Sequence, residues 1–212
     1  DIAEGKVTVS TMRRVDILDV LDRQTVEPEQ ILLAKNITDK NVLVTGAGGS
    51  IGSEPCRQII KNKPRCLVLY ELSEYALYAI HQDLLAWQSA HSENFHTEVI
   101  ALLGNVNNQK KLNKVFNKYA INTVYHAAAY KHVPIVEYNP FEGVINNAKG
   151  TYHCVKAAIE SHVDTFVLIS TDKAVRPTNI MGASKRLAEL VCQGFSNQNP
   201  HTKISMVRFG NV

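Results

Sequence analysis

The chain lacks most of the features that mark specialised protein classes. Its four cysteines, at 56, 66, 154 and 192, form no CxxC pair and no metal-ligand spacing. A zinc site or a disulfide framework is therefore not what organises it; small buried thiols in a reducing compartment are expected instead. No apolar run approaches the roughly 18 residues of a membrane span. The N-terminus also lacks the pattern of a signal peptide. No long run of like charge occurs, and a formal net charge of +3 gives no argument for binding nucleic acid. Internal repeats and low-complexity stretches are missing too. What is present is 45% hydrophobic and 20% charged residues over a length of 212, enough for one soluble domain with a real core.

Short apolar runs bounded by Gly, Asn, Asp or Pro predict strands at Asn41–Thr45, Cys66–Glu71, Glu98–Leu103, Thr123–His126, Thr165–Ser170 and Ile204–Phe209. Amphipathic stretches near 50–62, 73–90, 108–119, 140–162 and 179–196 lie between them. Strands that alternate with helices require crossover connections. The expected fold is thus an α/β Rossmann-type, doubly wound parallel sheet over 41–212. Residues 1–40 read as a linker with a docking helix around Val15–Leu21 and a polar turn at Pro28. The chain stops just after the sixth strand, so a domain truncated at its C-terminus, without a complete substrate domain, is expected.

Gly46, Gly49 and Gly52 stand at three-residue spacing between the first strand and the following helix. In that context the loop lets backbone approach a pyrophosphate, and Ser50 and Ile51 open the helix whose N–H groups would meet it. Glycines also serve plain turns, so context carries the argument. Glu71 ends the second strand 25 positions after Gly46. A carboxylate there can accept from ribose hydroxyls and would repel a 2′-phosphate, favouring NAD over NADP. Asn105 and Val106 follow the third strand, where Asn105 can accept from the adenine amine. Ala127, Ala128 and Ala129 let backbone pass close to the cofactor. Pro55 predicts a distortion of the helix behind the loop.

The stretch from Ser170 to Lys185 is the most specific segment. Together with Thr45–Glu54 and His126–Pro134 it resembles the extended short-chain dehydrogenases that act on nucleotide sugars. The match is to the UDP-N-acetylglucosamine 4,6-dehydratases of bacterial capsule, O-antigen and glycan synthesis. Met181 stands where that superfamily usually has Tyr, four residues before Lys185. This points to the large membrane-anchored branch, as does the Met12–Leu21 segment. A thioether has no ionisable proton, so another group must take up acid–base work there.

The resemblance implies an internal redox cycle with NAD or NADP: oxidation at sugar C4, loss of water across C5–C6, and hydride return to C6. It implies Asp172 as the acid for the leaving hydroxyl, with a raised pKa, and Lys173 as the C5 base. Thr171, with Ser170 as fallback, would polarise the C4 hydroxyl. Lys185, directly or through water, would deprotonate it as well as bind the nicotinamide ribose. Lys131 and His132 would face the sugar or the diphosphate, and Asn146 or Asn147, with Asn147 preferred, would lie beside the site. It further implies a UDP-sugar substrate, a homo-oligomer, and a full-length protein anchored at the cytoplasmic face of the bacterial inner membrane. This chain itself would then be soluble and cytoplasmic. Two readings compete: a 4-epimerase, which does not need the Asp172–Lys173 pair, and a non-catalytic dinucleotide-binding module, which Met181 favours.

Overall fold

In the computed structural model the described residues are 29–91 and 97–210. The docking helix expected at Val15–Leu21 lies outside them. The packed unit begins at Ile31. A helix, α1 (Gln30–Ile37), precedes the first strand, and Ile37 is buried in the core. Thr123 Oγ1 donates to the Asn36 carbonyl at 2.8 Å. This helix thus packs on the strands although it lies in the stretch read as linker.

Six strands follow: β1 (Asn41–Thr45), β2 (Cys66–Glu71), β3 (Glu98–Leu103), β4 (Thr123–His126), β5 (Thr165–Thr171) and β6 (Lys203–Phe209). All neighbours pair in parallel, in the order β3-β2-β1-β4-β5-β6. The order reverses between β1 and β4, which opens a crevice at their carboxyl ends. β1 and β2 are almost wholly buried, as strands covered on both faces must be.

Each face carries its own core. On one, Val42, Val44, Leu67 and Leu69 meet α2 (Ser53–Lys61) through Cys56, Ile59 and Ile60, and α3 (Glu74–Ala90) through Leu77, Ile80 and Leu84. On the other, Leu43, Val68, Val124, Phe166 and Leu168 meet α4 (Gln109–Lys118), α7 (Gly150–Glu160) and α8 (Ile180–Gln198). All four cysteines are buried and unpaired. No helix among the described residues is long and apolar enough to cross a membrane.

Two departures from the sequence reading matter for the site. The stretch expected as one helix over 140–162 is broken. α6 (Pro140–Val144) gives way to a π-helical turn at Ile145–Lys149 before α7 resumes. A further short helix, α5 (Val133–Tyr138), starts with Pro134 in its first turn, where a missing N–H costs least. Behind the glycine loop, regular helix begins only at Ser53. Pro55 therefore falls in the first turn, between the Ser53 N–H bond to Gly49 (2.9 Å) and the Cys56 N–H bond to Gly52 (3.3 Å).

Candidate active site

The crevice at the β1/β4 switch point holds three adjoining cavities, of about 650, 330 and 150 Å³, and Ala127 and Ala129 line all of them. Gly46, Gly49, Glu71, Asn105, Val106 and Ala128 line the smallest. Gly49, Ser50, Ile51, Gly52, Lys131 and His132 line the largest. Thr171, Lys173, Met181 and Lys185 meet Ile51, Lys131 and His132 in the middle one. The fold therefore assembles most of the residues that the sequence singled out, although they come from the ends of β1, β2, β3, β4 and β5.

The glycine loop has a steric cause. Gly46 turns with φ of +65°, and a Cβ there would sit 2.7 Å from the Ala128 nitrogen. Only a bare α-carbon lets β1's exit pass under the β4 loop. The Glu71 carboxylate is held in place by three backbone donors: Gly48 N–H at 3.1 Å, Leu72 N–H at 2.8 Å and Ser73 N–H at 3.0 Å. This fixes the carboxyl group beside the loop. Asn105 lines the smallest cavity. Its Oδ1 already accepts from Asn107 N–H at 2.8 Å, leaving one lone pair for a further donor. Lys131 Nζ reaches across the glycine loop to Ser50 Oγ at 2.5 Å and so places a cation over the helix start.

Lys185 is 5% exposed, and its ammonium donates to the Ile169 carbonyl at 2.6 Å. Burial pulls its pKa down from its ordinary value to about 8. That is about 3 kcal/mol of differential desolvation. Met181, one turn earlier, is also buried and lines the same cavity, so the thioether packs against the site instead of titrating in it. The helix carrying both is set close to the end of β5. Gly182 has no room for a Cβ against the Lys173 carbonyl, and Asn179 caps the helix by accepting from Gly182 N–H at 2.7 Å.

Three expectations are corrected. Asp172 does not have a raised pKa in this structure. It is exposed, Thr171 Oγ1 donates to its Oδ1 at 3.0 Å, and Lys173 Nζ lies 3.5 Å away. The Thr171 hydrogen bond and then the Lys173 charge hold the carboxyl below its ordinary range. Ser170, the fallback hydroxyl, touches the middle cavity but is 5% exposed and its proton is given to Glu189 at 2.8 Å, so it has none to offer a sugar hydroxyl. Asn147 lines none of these three cavities. It is 1% exposed; its Oδ1 accepts from Tyr130 N–H (2.7 Å) and Asn146 Nδ2 (3.2 Å), and its Nδ2 donates to Tyr130 O and Ser184 Oγ (2.9 Å each). With its four hydrogen-bonding positions filled, it clamps the β4 loop and has nothing left for a substrate. Asn146 lines the smallest cavity in its place.

The sequence reading missed two buried polar groups. His126 bridges Thr45 (2.7 Å) and Thr151 (3.0 Å) and sits directly before the alanine loop. Glu189 lies one helical turn after Lys185 and is 1% exposed. A usable signal existed for Glu189: it shares the inward stripe of α8 with Met181, Ser184, Lys185, Ala188 and Cys192.

The profile of the family described as polysaccharide biosynthesis protein matches residues 42–212. The chain is 43% identical to the capsular polysaccharide biosynthesis protein CapD of Staphylococcus aureus, over 100% of this chain and 35% of that protein. It is 31% identical to a UDP-N-acetylglucosamine 4,6-dehydratase (inverting) of Campylobacter jejuni, over 82% of this chain and 49% of the relative. Among solved structures, Pen from Bacillus thuringiensis superposes with a TM-score of 0.72 at 34% identity, over 84% of this chain and 54% of that one. The dTDP-glucose 4,6-dehydratase DesIV of Streptomyces venezuelae shares the fold, with a TM-score of 0.66 at 20% identity over 78% and 55% of the two chains. The chain thus spans between a third and a half of the length of the curated relatives named here.

Proposed function

The chain belongs to the polysaccharide biosynthesis protein family, and on that premise we propose that it is the dinucleotide-binding and catalytic part of a UDP-N-acetylglucosamine 4,6-dehydratase. The product would be a UDP-4-keto-6-deoxy-N-acetylhexosamine. One observation carries the reading: a buried amine, Lys185, shares a cavity with Lys173 and Thr171 at the point where β4's loop meets the glycine loop. The 31% identity to a named dehydratase supports it.

The residues fit NAD. Gly46 leaves the close approach free, the alanine loop presents backbone with little side chain, and Glu71 offers a fixed carboxylate where NADP would bring a phosphate. When bound, NAD supplies the hydride acceptor for C4 and the hydride donor for C6. The chain's own work is proton transfer and orientation. Lys131, pointing over Ser50, would neutralise a diphosphate. Lys185, with a pKa of about 8, has roughly a tenth of its population neutral at pH 7 and can take the C4 hydroxyl proton. Thr171 would orient that hydroxyl. Once C4 is a ketone, Lys173 would take the acidified C5 proton, and Asp172 would protonate the departing C6 hydroxyl. Because Asp172 is held ionised here, it must pick up a proton when substrate covers it and removes water. The membrane anchor and homo-oligomer implied by the resemblance belong to this proposal for the whole protein.

The exposed, ionised Asp172 favours a second reading, a nucleotide-sugar 4-epimerase, which needs the C4 base but no acid at C6. Incubating the full-length protein with UDP-N-acetylglucosamine and following the sugar by proton NMR separates the two. A 4-keto-6-deoxy sugar supports dehydration; a 4-epimer or unchanged substrate overturns it.

A further inference from the structure

Glu189 is a buried carboxylate that the proposed chemistry does not use, and its partners come from three elements. Ser170 of β5 donates to Oε1 at 2.8 Å, and Arg208 of β6 donates through Nε to Oε1 (2.8 Å) and through Nη2 to Oε2 (2.7 Å). Arg186, on the same helix, donates to Oε2 at 2.8 Å. Each carboxylate oxygen therefore accepts two bonds, in the two-pronged geometry that guanidinium groups favour. The next residues along the strands, Thr171 after Ser170 and Phe209 after Arg208, line the cavity that holds Lys185. Lys185 itself stands one turn before Glu189 and grips β5 at Ile169. Buried ion pairs of this kind add little net stability, so register and electrostatics are what such a group can supply.

We propose that Glu189 is a positioning residue for this site: its carboxylate joins the ends of β5 and β6 to α8 and holds the Lys185 ammonium in a fixed field facing the cavity. The groups around Lys185 leave Glu189 as the anion that matters. His126 faces it from β4 as a buried imidazole that burial keeps neutral. Cys192, on its own helix, is a thiol that burial pushes up to about 12. Lys173 and Lys131 line the same cavity. Burial favours loss of the Lys185 proton; Cys192 and then Glu189 oppose that loss, and with Cys192 held as a thiol the standing negative charge of the two is that of Glu189. Replacing Glu189 by Gln removes the anion and uncovers two guanidiniums, so both consequences act in the same direction.

The test reads the amine directly, by the carbon-13 shift of Lys185 Cε in lysine-labelled chain, assigned with Lys185→Arg. The unsubstituted chain should titrate near pH 8. Glu189→Gln should move that midpoint down by on the order of one pH unit, while Ser170→Ala, which keeps the charge, should leave it in place. A Glu189→Gln midpoint within about 0.3 units of the parent would overturn the proposal. If Glu189→Gln does not fold, Arg208→Met, which keeps the carboxylate and its bonds to Ser170 and Arg186 but removes one facing cation, should raise the midpoint; an unchanged one overturns it equally. In the full-length enzyme the rise of activity with pH should shift to lower pH in Glu189→Gln, and its plateau should drop by roughly tenfold or more. That kinetic arm rests on the dehydratase reading. The carbon-13 titration does not, so a full-length protein that makes no keto sugar would remove that reading and leave the role of Glu189 to be judged on the shift alone.

Discussion

Lys185 and His126 show how burial decides what a residue can do. The Lys185 side chain costs energy to keep charged where it sits, which is what a base for a sugar hydroxyl requires. Lys185→Met should lower turnover of the full-length protein by ~10²–10⁴-fold. Turnover within about twofold of the parent would remove Lys185 from the chemistry. For His126 the hydrogen bonds fix the tautomer. The Thr151 hydroxyl proton goes to the Asn147 carbonyl at 2.6 Å, so its oxygen accepts from His126 and the ring proton is on Nε2. Thr45 Oγ1 accepts from Ala128 N–H at 3.3 Å and donates to Nδ1 at 2.7 Å. Burial first, and Lys185 second, lower its pKa to about 3. Nitrogen-15 NMR should therefore show an Nε2–H ring that does not titrate between pH 8 and about 5; an inflection near 6.5 would contradict the network.

Among the elements, the turn after β4 is the one that the rest of the site leans on. Asn147, carried inward by the π-helical turn, holds both backbone groups of Tyr130. Asn147→Ala leaves the part-buried N–H and C=O of Tyr130 without their partner and should cost about 1 kcal/mol in denaturant unfolding. It should also weaken NAD binding, because the alanine loop is no longer tied down; unchanged affinity would show that the loop keeps its place by other means. The strands were legible in the sequence because each is a short apolar run ended by a turn former, and the parallel sheet buries such runs completely. The glycine loop was legible because its steric demand leaves few residue choices. The π-helical turn was not, since its insertion changes hydrogen bonding without changing the apolar spacing that is read as a helix. For the same reason Asn146 and Asn147 exchanged roles. A one-residue shift within a helix alters which neighbour faces the cavity, and spacing alone does not resolve it. The inward stripe of α8 marks Glu189, but its partners were hidden by distance: Ser170 and Arg208 each lie 19 residues away, one on either side.

At the scale of the whole molecule, three buried ionisable groups set how stability depends on pH. His126 titrates near 6.5 when unfolded and near 3 when folded. Between those values the unfolded chain binds more protons, so stability falls as pH drops through that window. Glu189, opposed by burial but held ionised by Arg208, Arg186 and Ser170, has a folded pKa of about 2 against an ordinary 4.5. Its contribution is present above 4.5 and is lost as pH falls toward 2. Lys185 acts on the other side. Its folded value near 8 lies below the ordinary 10.5, so stability recovers as pH rises between them. Chemical denaturation should show stability dropping by several kcal/mol, on the order of 5, between pH 7 and 3. His126→Gln should flatten the part of that loss that starts near 6.5. A flat profile in the parent chain would mean that these groups are not buried as described. Fold and site meet at this scale, because the same buried network that makes the molecule acid-labile also holds the β4 loop and α8 around the crevice.

On the proposed function, this crevice would run an oxidation and a reduction on one sugar, moving hydride from C4 to C6. Deuterium at C4 of UDP-N-acetylglucosamine tests it directly in the full-length protein. The account predicts a 4-keto-6-deoxy product carrying the label at C6. Label that stays at C4, in an epimer or in unreacted substrate, would contradict it.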